Sequence, residues 1–141
     1  MKTKKMPKNR SVAKVKKRVW LVFSRYIRLR DCLRTTGSPE HGECISCGEP
    51  KSYSELDAGH FVAKHANNYF SERGVNIQCQ SCNRFKGGNP LGYRRGLLLL
   101  YGEEITSELE LENRPIKKFT VKELEELEVF LLEKLSILEG K

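Results

Sequence analysis

The chain has 141 residues and a formal net charge of +8. This length predicts one ordinary domain with extensions, whose modest hydrophobic core a bound metal would strengthen noticeably. The early apolar run 19–23 is followed by Arg25 and Arg28, and it is too short for a signal peptide or a membrane span. The sequence therefore predicts no membrane association and a location in a reducing cytoplasm.

Basic charge is concentrated near the start of the chain. The first thirty residues contain twelve Lys or Arg and no acidic residue, whereas Glu dominates from Glu103 onward. Residues 1–10 are polar, basic and interrupted by Pro7, which predicts a flexible arm that becomes ordered only on its partner. This asymmetry indicates an anionic partner, and we interpret it as DNA rather than as a merely solvated surface.

A basic amphipathic helix is predicted over residues 11–34. Its apolar side chains recur at spacings of three and four, which places them on one stripe. Basic side chains on another face would contact phosphates, so that DNA binding should weaken with salt and carry no sequence readout. The apolar stripe consists of Val12, Val15, Val19, Val22, Tyr26, Leu29 and Leu33, and the basic face of Lys14, Arg18, Arg25 and Arg28.

Short strands and loops are predicted in the middle of the chain. Residues 34–43 are rich in Gly, Pro and Ser, which predicts a loop with little regular structure. Residues 53–63 are typical of a short strand, 64–74 of a polar loop, and 75–78 of a second short strand.

Helices are predicted beyond residue 83. A brief helix over 83–86 should stop at two glycines, and Asn89 with Pro90 should begin a helix that continues to Tyr101. A short acidic helix over 104–111 follows. Thr120 and Glu123 form a capping box for a helix over 120–139, whose apolar stripe is expected to be core or a dimer seam. That stripe consists of Val121, Leu124, Leu127, Leu131, Leu135 and Leu138.

Two Cys-x-x-Cys pairs predict a structural zinc site formed by Cys44, Cys47, Cys79 and Cys82. Each pair folds into a tight knuckle whose thiolates converge, and two knuckles supply the four soft ligands of tetrahedral Zn²⁺. Four thiolates leave no open position for water, so this ion should not be catalytic. The remaining cysteine, Cys32, is expected to be a small buried hydrophobic residue.

The 31 residues between the two cysteine pairs resemble the four-cysteine zinc form of the HNH nucleases. They contain Leu56-Asp57-Ala58-Gly59-His60-Phe61 and Val75-Asn76-Ile77-Gln78, and Asn83 follows the last cysteine. In that family one strand carries a His general base, a second strand an Asn, and a following helix a metal-binding His or Asn. The resemblance implies these roles for His60, Asn76 and Asn83. It also implies an α+β fold with flanking N- and C-terminal helices, in which residues 44–111 hold a zinc-stapled ββα-metal core and the helices that follow it.

A longer set of segments is similar to the phage NinG or Rap recombination proteins, over about residues 23–110. The resemblance implies metal-dependent cleavage of branched recombination intermediates, such as Holliday junctions or D-loops. A homodimer would suit that activity, since two sites must address two strands. The similar segments are Tyr26-Ile27-Arg28-Leu29-Arg30-Asp31, Cys44-Ile45-Ser46-Cys47-Gly48, Asp57-Ala58-Gly59-His60-Phe61, Gln78-Cys79-Gln80-Ser81-Cys82-Asn83, Gly88-Asn89 and 93–102.

The chemistry of phosphodiester hydrolysis fits these residues. The reaction needs a base that activates water and a cation that stabilises the phosphorane charge. We expect neutral His60 to be the base, with its other nitrogen held by the Asn76 side chain or by a backbone carbonyl. Asn83 offers a hard oxygen to a catalytic Mg²⁺ or Mn²⁺.

The second ligand of the catalytic ion is open at this stage. Common HNH sites place an acid or His directly before the base, where this chain has Gly59. Asp57 is the nearest carboxylate, and it would join His60 only if the strand bulges at Gly59. His65 and Glu72 are the fallback candidates. Arg84 and Lys86, which follow the second knuckle, are further predicted DNA contacts.

Two other functions remain open on the sequence. One is a zinc-stabilised DNA-binding module without catalysis, which the missing acid before His60 favours. The other is a zinc-dependent protein adaptor that uses the acidic helices. DNA binding without any cleavage would favour the first, and absence of salt-sensitive DNA binding would favour the second.

Overall fold

The computed structural model describes residues 11–64, 68–112 and 117–140, and it combines helices with two small antiparallel sheets. Strand β1 pairs with β2, and β3 pairs with β4. The predicted arm over residues 1–10 and His65 lie outside the described residues. The elements are α1 (Val12–Thr36), β1 (His41–Glu43), β2 (Pro50–Ser52), β3 (Leu56–His60), β4 (Val75–Cys79), α2 (Pro90–Tyr101), α3 (Glu103–Leu109) and α4 (Val121–Leu138).

Helix α1 is the predicted long basic helix, and it extends two residues beyond the predicted end. The Ser11 side chain caps its first turn by accepting a hydrogen bond from the Lys14 amide at 3.3 Å. Gly37 ends it in the left-handed conformation at φ 76°, and its N–H bonds the Leu33 carbonyl. Most of the apolar stripe lies in or beside the core, but Val12 is 44% exposed because it stands in the first turn, beyond the packed part of the helix.

The hairpin of β1 and β2 was not predicted, since residues 34–43 were expected to form a loop. Three-residue strands carry too little side-chain alternation to be recognised. Their pairing is instead set by the knuckle between them, where the Cys44 amide donates to the Glu49 carbonyl at 3.0 Å. Gly42 is buried against Cys32 and Ile77, where a side chain would not fit. The sheet therefore forms because the first knuckle reverses the chain.

Two other elements differ from their predicted form. The first three residues of the predicted strand 53–63 form a single 3₁₀ turn, Tyr53–Glu55, and the strand itself is β3. The predicted helix over 83–86 is a π-helical turn, Ser81–Phe85, which begins at the second knuckle and is closed by a bond from the Lys86 amide to the Ser81 carbonyl. Both differences reflect local turns that side-chain periodicity does not report.

Helix α4 packs along α1 and completes the main core. Its predicted capping box is confirmed, with the Thr120 hydroxyl accepting from the Glu123 amide and the Glu123 carboxylate accepting from the Thr120 amide. Leu124, Leu131 and Leu135 of its stripe are buried, so the stripe belongs to the core of this chain. None of the described helices is long and apolar enough to cross a membrane.

Asp31 joins α1 to one edge of β4. Its carboxylate is fully buried, accepts the Ile77 amide at 3.0 Å, and forms ion pairs with Arg30 at 2.8 Å and Arg34 at 3.2 Å. The Ile45 amide bonds the Ile77 carbonyl on the same edge. Within the described residues β3 is paired with β4 alone, so its other edge is free for a ligand.

Asp31→Ala is expected to lower the free energy of unfolding by about 3–5 kcal/mol, because it leaves the largely buried Arg30 charge without its counter-ion and the Ile77 amide without its acceptor. Urea unfolding followed by circular dichroism measures this change. Glu139→Ala, which breaks the partly exposed pair with Arg25 at 3.5 Å, is the control and should cost much less. Equal effects of the two substitutions would contradict the structural role of Asp31.

Candidate metal and catalytic site

The four cysteines of the two knuckles converge on one point. Their Sγ atoms all lie within 4.8 Å of one another, and those of Cys47 and Cys79 are 3.8 Å apart. A tetrahedral zinc with Zn–S bonds of about 2.3 Å would separate its sulfurs by about 3.8 Å. The thiols of Cys44, Cys79 and Cys82 are buried, and none of the described cysteines forms a disulfide. The predicted clustering is confirmed, and its geometry is compatible with a zinc site.

The surroundings of the sulfurs also suit metal ligation. The Cys82 amide donates to Cys79 Sγ at 3.4 Å, and Asn89 Nδ2 donates to Cys82 Sγ at 3.3 Å, both of which favour negatively charged sulfur. Burial and the neighbouring sulfurs raise the pKa of Cys47 to about 12. Four crowded sulfurs hold several negative charges only around a cation, which a bound metal supplies.

A cavity of about 490 Å³ surrounds the free edge of β3. Trp20 of α1 and His60 line it on the side that faces α1, and Asp57, Asn83 and Arg84 line it on the other side. The second knuckle brings the last two residues there, because the π-helical turn begins between Cys79 and Cys82. The cavity therefore collects four of the predicted site residues, His60, Asp57, Asn83 and Arg84.

The imidazole of His60 has a defined orientation. It stacks on Trp20 with ring centroids 5.2 Å apart and an angle of 14° between the planes. Its Nε2 lies 3.0 Å from the Tyr69 carbonyl, which can only accept, so Nε2 carries the hydrogen and Nδ1 is the basic nitrogen. Burial is the main cause that lowers the pKa of His60, and Lys64 lowers it further. The neutral form is thus favoured near physiological pH.

The side chain of Asn76 is directed away from His60. It is fully buried, and its Nδ2 donates to the Tyr93 hydroxyl at 3.2 Å. The Tyr93 hydroxyl in turn donates to the Gly59 carbonyl at 2.6 Å. Two partners were expected for His60, the Asn76 side chain or a backbone carbonyl, and the observed partner is the Tyr69 carbonyl. Asn76 instead supports the backbone of Gly59, the residue before His60, through the Tyr93 hydroxyl.

Asp57 and Asn83 meet on the face of β3 opposite His60. Asn83 Nδ2 donates to Asp57 Oδ2 at 3.0 Å, and Arg84 binds the same carboxylate through two bonds of 2.9 Å. The bulge expected at Gly59 is absent, because the β3–β4 register continues without interruption through this residue. Asp57 reaches Asn83 from a regular strand, because the π-helical turn that carries Asn83 packs against the face of β3 opposite His60.

A family model described as Bacteriophage Lambda NinG protein matches residues 1–140 of this chain. The chain belongs to the NinG family. It is similar to Protein ninG of Escherichia phage lambda, with 35% identity over 94 residues, 65% of this chain and 45% of the relative. Protein ninG of Escherichia phage 933W is 36% identical over 65% of this chain and 46% of its own length.

Protein ninG of Salmonella phage P22 is 37% identical over 73 residues, which are 50% of this chain and 36% of the relative. The match thus spans less than half the length of these NinG relatives. No solved structure matches the chain.

The fallback ligand Glu72 does not line the cavity in this NinG-family chain. Its carboxylate accepts hydrogen bonds from Tyr26 at 2.9 Å and from Lys134 at 2.6 Å. Lys134 and Tyr26 together hold the pKa of Glu72 below its ordinary value, although burial opposes them. Glu72 therefore links α1, α4 and the loop before β4.

The predicted basic face of α1 is partly occupied within the NinG-family chain itself. Arg18 forms an ion pair with Glu128 of α4 at 2.8 Å, and Arg25 forms one at 3.5 Å with Glu139, the residue that directly follows α4. The Arg28 guanidinium lies 4.5 Å from the centre of the Tyr53 ring in the 3₁₀ turn. Lys14 and, beyond the second knuckle, Lys86 are exposed. The face is therefore less positive than the sequence alone indicates.

Three residues that the sequence did not single out shape the site of this NinG-family chain. Trp20 and Tyr69 position His60, and the fully buried Gln78 lies across the hairpin from Asp57. A weak signal existed for Gln78, because it is a polar residue in a buried strand directly before a cysteine ligand. Trp20 and Tyr69 had none, since their role depends on how α1 and a loop pack on β3.

Proposed function

We propose that this chain is an HNH-type endonuclease that hydrolyses phosphodiester bonds with Mg²⁺ or Mn²⁺. The observation that carries the proposal is the cavity at the free edge of β3, which His60 lines on one side and Asp57 and Asn83 line on the other. A ββα-metal core has the same order of elements: a hairpin, then the second knuckle, then a helical turn. As its substrates we propose branched intermediates of phage recombination, Holliday junctions or D-loops, with a homodimer addressing two strands.

His60 is the general base in this proposal. The Tyr69 carbonyl fixes the hydrogen on Nε2, so Nδ1 accepts a proton from the attacking water. Stacking on Trp20 keeps the ring in place and removes it from bulk solvent. A positioned base of this kind contributes a rate increase of about 10²–10⁴-fold.

The catalytic ion would be held on the other side of β3. Amide and carboxylate oxygens are the ligands that Mg²⁺ and Mn²⁺ prefer, and Asn83 with Asp57 provides them. When bound, such an ion supplies charge stabilisation for the phosphorane and the leaving oxygen. The Arg84 guanidinium beside Asp57 adds positive charge where a phosphate would enter.

The cysteine cluster serves as the scaffold. Cys79 is the last residue of β4, and Cys82 directly precedes Asn83. A zinc bound by both cysteines would fix the start of the π-helical turn relative to the hairpin. The distance between base and ion would then be set by the fold rather than by the DNA.

Phe85 supports the preference for branched DNA. It is 82% exposed, lies on the same turn as Asn83, and stands between the cationic Arg84 and Lys86. Exposed aromatic rings among cations stack on unpaired bases, and a base contributes about 1–3 kcal/mol in such a stack. Junctions and displaced strands present accessible base faces, whereas the interior of a linear duplex does not.

Phe85→Ala is accordingly expected to weaken binding of a four-way junction by about tenfold, because one base stack is lost, while binding of a linear duplex stays unchanged. Fluorescence anisotropy with labelled DNA measures both affinities. Leu99→Ala is the matched control, since Leu99 is 86% exposed but lies outside the cavity. A uniform loss on both kinds of DNA would contradict the stacking role.

A zinc-stabilised DNA-binding module without catalysis is the alternative. Two observations favour it: Gly59 stands where an acid or His is common, and Arg84 already neutralises the Asp57 carboxylate. Incubation of the zinc-loaded protein with junction, D-loop and linear DNA, with and without Mg²⁺ or Mn²⁺, separates the two functions. Metal-dependent cleavage supports the nuclease, and salt-sensitive binding without cleavage supports the module. Absence of both would favour the protein adaptor.

A further inference from the structure

We propose that the side-chain oxygen of Gln78 is a ligand of the catalytic divalent ion and replaces the side chain that is absent at Gly59. The inference rests on the proposed nuclease and completes its ion site. Gln78 is fully buried, and within the described residues its Oε1 has no hydrogen-bond partner. Buried oxygens without a partner are rare because they lose their hydration, so this one requires an explanation.

The unpaired oxygen is directed at the space beside Gly59. In the β3–β4 register Gln78 stands directly opposite Asp57, on the face that carries Gly59. A Cβ atom added to Gly59 would collide with Gln78 Oε1, and it would lie 3.0 Å from Asn83 Oδ1. Two amide oxygens therefore converge where the side chain of residue 59 would begin.

Hydrogen bonds fix which end of each amide faces this space. Gln78 Nε2 donates to the Ser46 hydroxyl at 2.9 Å and to the Gly88 carbonyl at 2.8 Å, and a carbonyl accepts only from the nitrogen end. Asn83 Nδ2 donates to Asp57 at 3.0 Å. Both amides thus bind protein through nitrogen and present oxygen to the same point, as in a site for a hard cation.

The arrangement also explains the glycine. HNH sites commonly place a metal-binding side chain directly before the base, and in this chain that position is Gly59. Any larger residue there would displace Gln78 Oε1. The ligand is thus supplied by Gln78 of β4 instead of by residue 59 of β3, and Gly59 is required to leave room for it. The ion would lie on the face of β3 opposite His60, beside Gly59 and Asn83, both of which line the cavity.

Binding of Mn²⁺ to the zinc-loaded protein without DNA tests the assignment, by electron paramagnetic resonance or calorimetry. Gln78→Ala is expected to weaken Mn²⁺ binding by about tenfold or more, because a buried ligand is lost. The double variant Gly59→Asp with Gln78→Ala should bind within a few-fold of the original chain, since a carboxylate fills the freed space. Unchanged Mn²⁺ affinity in folded Gln78→Ala would overturn the inference.

Zinc content and circular dichroism show whether each variant is folded. If Gln78→Ala does not fold, Gly59→Ala decides, because its methyl group must displace Oε1 while Gln78 remains; retained Mn²⁺ affinity would then overturn the inference. Leu99→Ala is the control, since Leu99 is exposed and lies outside the cavity, and it should bind Mn²⁺ normally. Mn²⁺ binding that depends on Gln78 without DNA cleavage would contradict the nuclease alone. Failure of the original chain to bind Mn²⁺ would overturn the ligand assignment.

Discussion

Cys82→Ser is expected to abolish stoichiometric zinc binding and the cooperative folding of the hairpin region. Cys44, Cys79 and Cys82 form a small buried cluster of their own, separate from the two apolar cores. A metal in this cluster would join the first knuckle, the end of β4 and the π-helical turn. The binding free energy of structural zinc is about 10–16 kcal/mol in small zinc domains, at least as large as the usual stability of about 5–15 kcal/mol.

Zinc content by elemental analysis and thermal unfolding by circular dichroism measure this effect. A loss of several kcal/mol corresponds to a Tm lower by roughly 10 °C or more for a chain of this size. Cys32→Ala is the matched control, because Cys32 is fully buried in the core of α1 and lies outside the sulfur cluster. It should retain zinc. Stoichiometric zinc in Cys82→Ser would contradict the four-cysteine site.

His60→Ala is expected to lower the rate of metal-dependent DNA cleavage by about 10²–10⁴-fold, the contribution of a positioned general base. Junction affinity and zinc content should stay unchanged, because the imidazole contacts Trp20 and the Tyr69 carbonyl rather than the cysteine cluster. His41→Ala, which alters an exposed histidine of β1, is the control and should cleave normally. Single-turnover kinetics with saturating protein separates this chemical effect from binding.

The same base predicts the dependence of the rate on pH. Only neutral His60 accepts a proton, and burial lowers its pKa, so the rate should fall on the acid side with an inflection below the ordinary histidine pKa. The positive charge of Lys64 also lowers the pKa of His60. Lys64→Ala should therefore move the inflection to higher pH. If His60→Ala cleaved DNA as fast as the original chain at both weakly acidic and neutral pH, the assignment of His60 as the base would be contradicted.

The elements that sequence predicted well are those with local signals. Helices α1 and α4 combine an apolar period with side-chain caps at Ser11 and Thr120, and both begin where these caps stand. The cysteine cluster was predictable because two tight knuckles have few ways to satisfy four thiolates other than one shared ion. The β1–β2 hairpin was not, since its pairing follows from the knuckle between its strands and not from its own residues.

The candidate site likewise combines residues that the sequence could name with neighbours that it could not. His60 and Asn83 could be named from the resemblance to the HNH nucleases, and Asp57 as the nearest carboxylate, and the structure brings all three to one cavity. Their neighbours depend on contacts distant in sequence: Trp20 reaches His60 across about forty residues, and Arg18 pairs with Glu128 of α4. The Gln78 oxygen that lacks a hydrogen-bond partner among the described residues becomes apparent only when Gly59 and Asn83 are placed around it. Packing between distant elements, which no local pattern reports, decided these features.

Whether this chain cleaves DNA is tested most directly by incubating the zinc-loaded protein and its His60→Ala variant with an end-labelled four-way junction and Mg²⁺ or Mn²⁺. We predict that the original chain cuts the junction only when the divalent ion is present, and that His60→Ala binds the junction equally well but leaves it uncut. Equal cleavage by both proteins, or tight binding by the original chain without cleavage under either ion, would contradict the proposed nuclease.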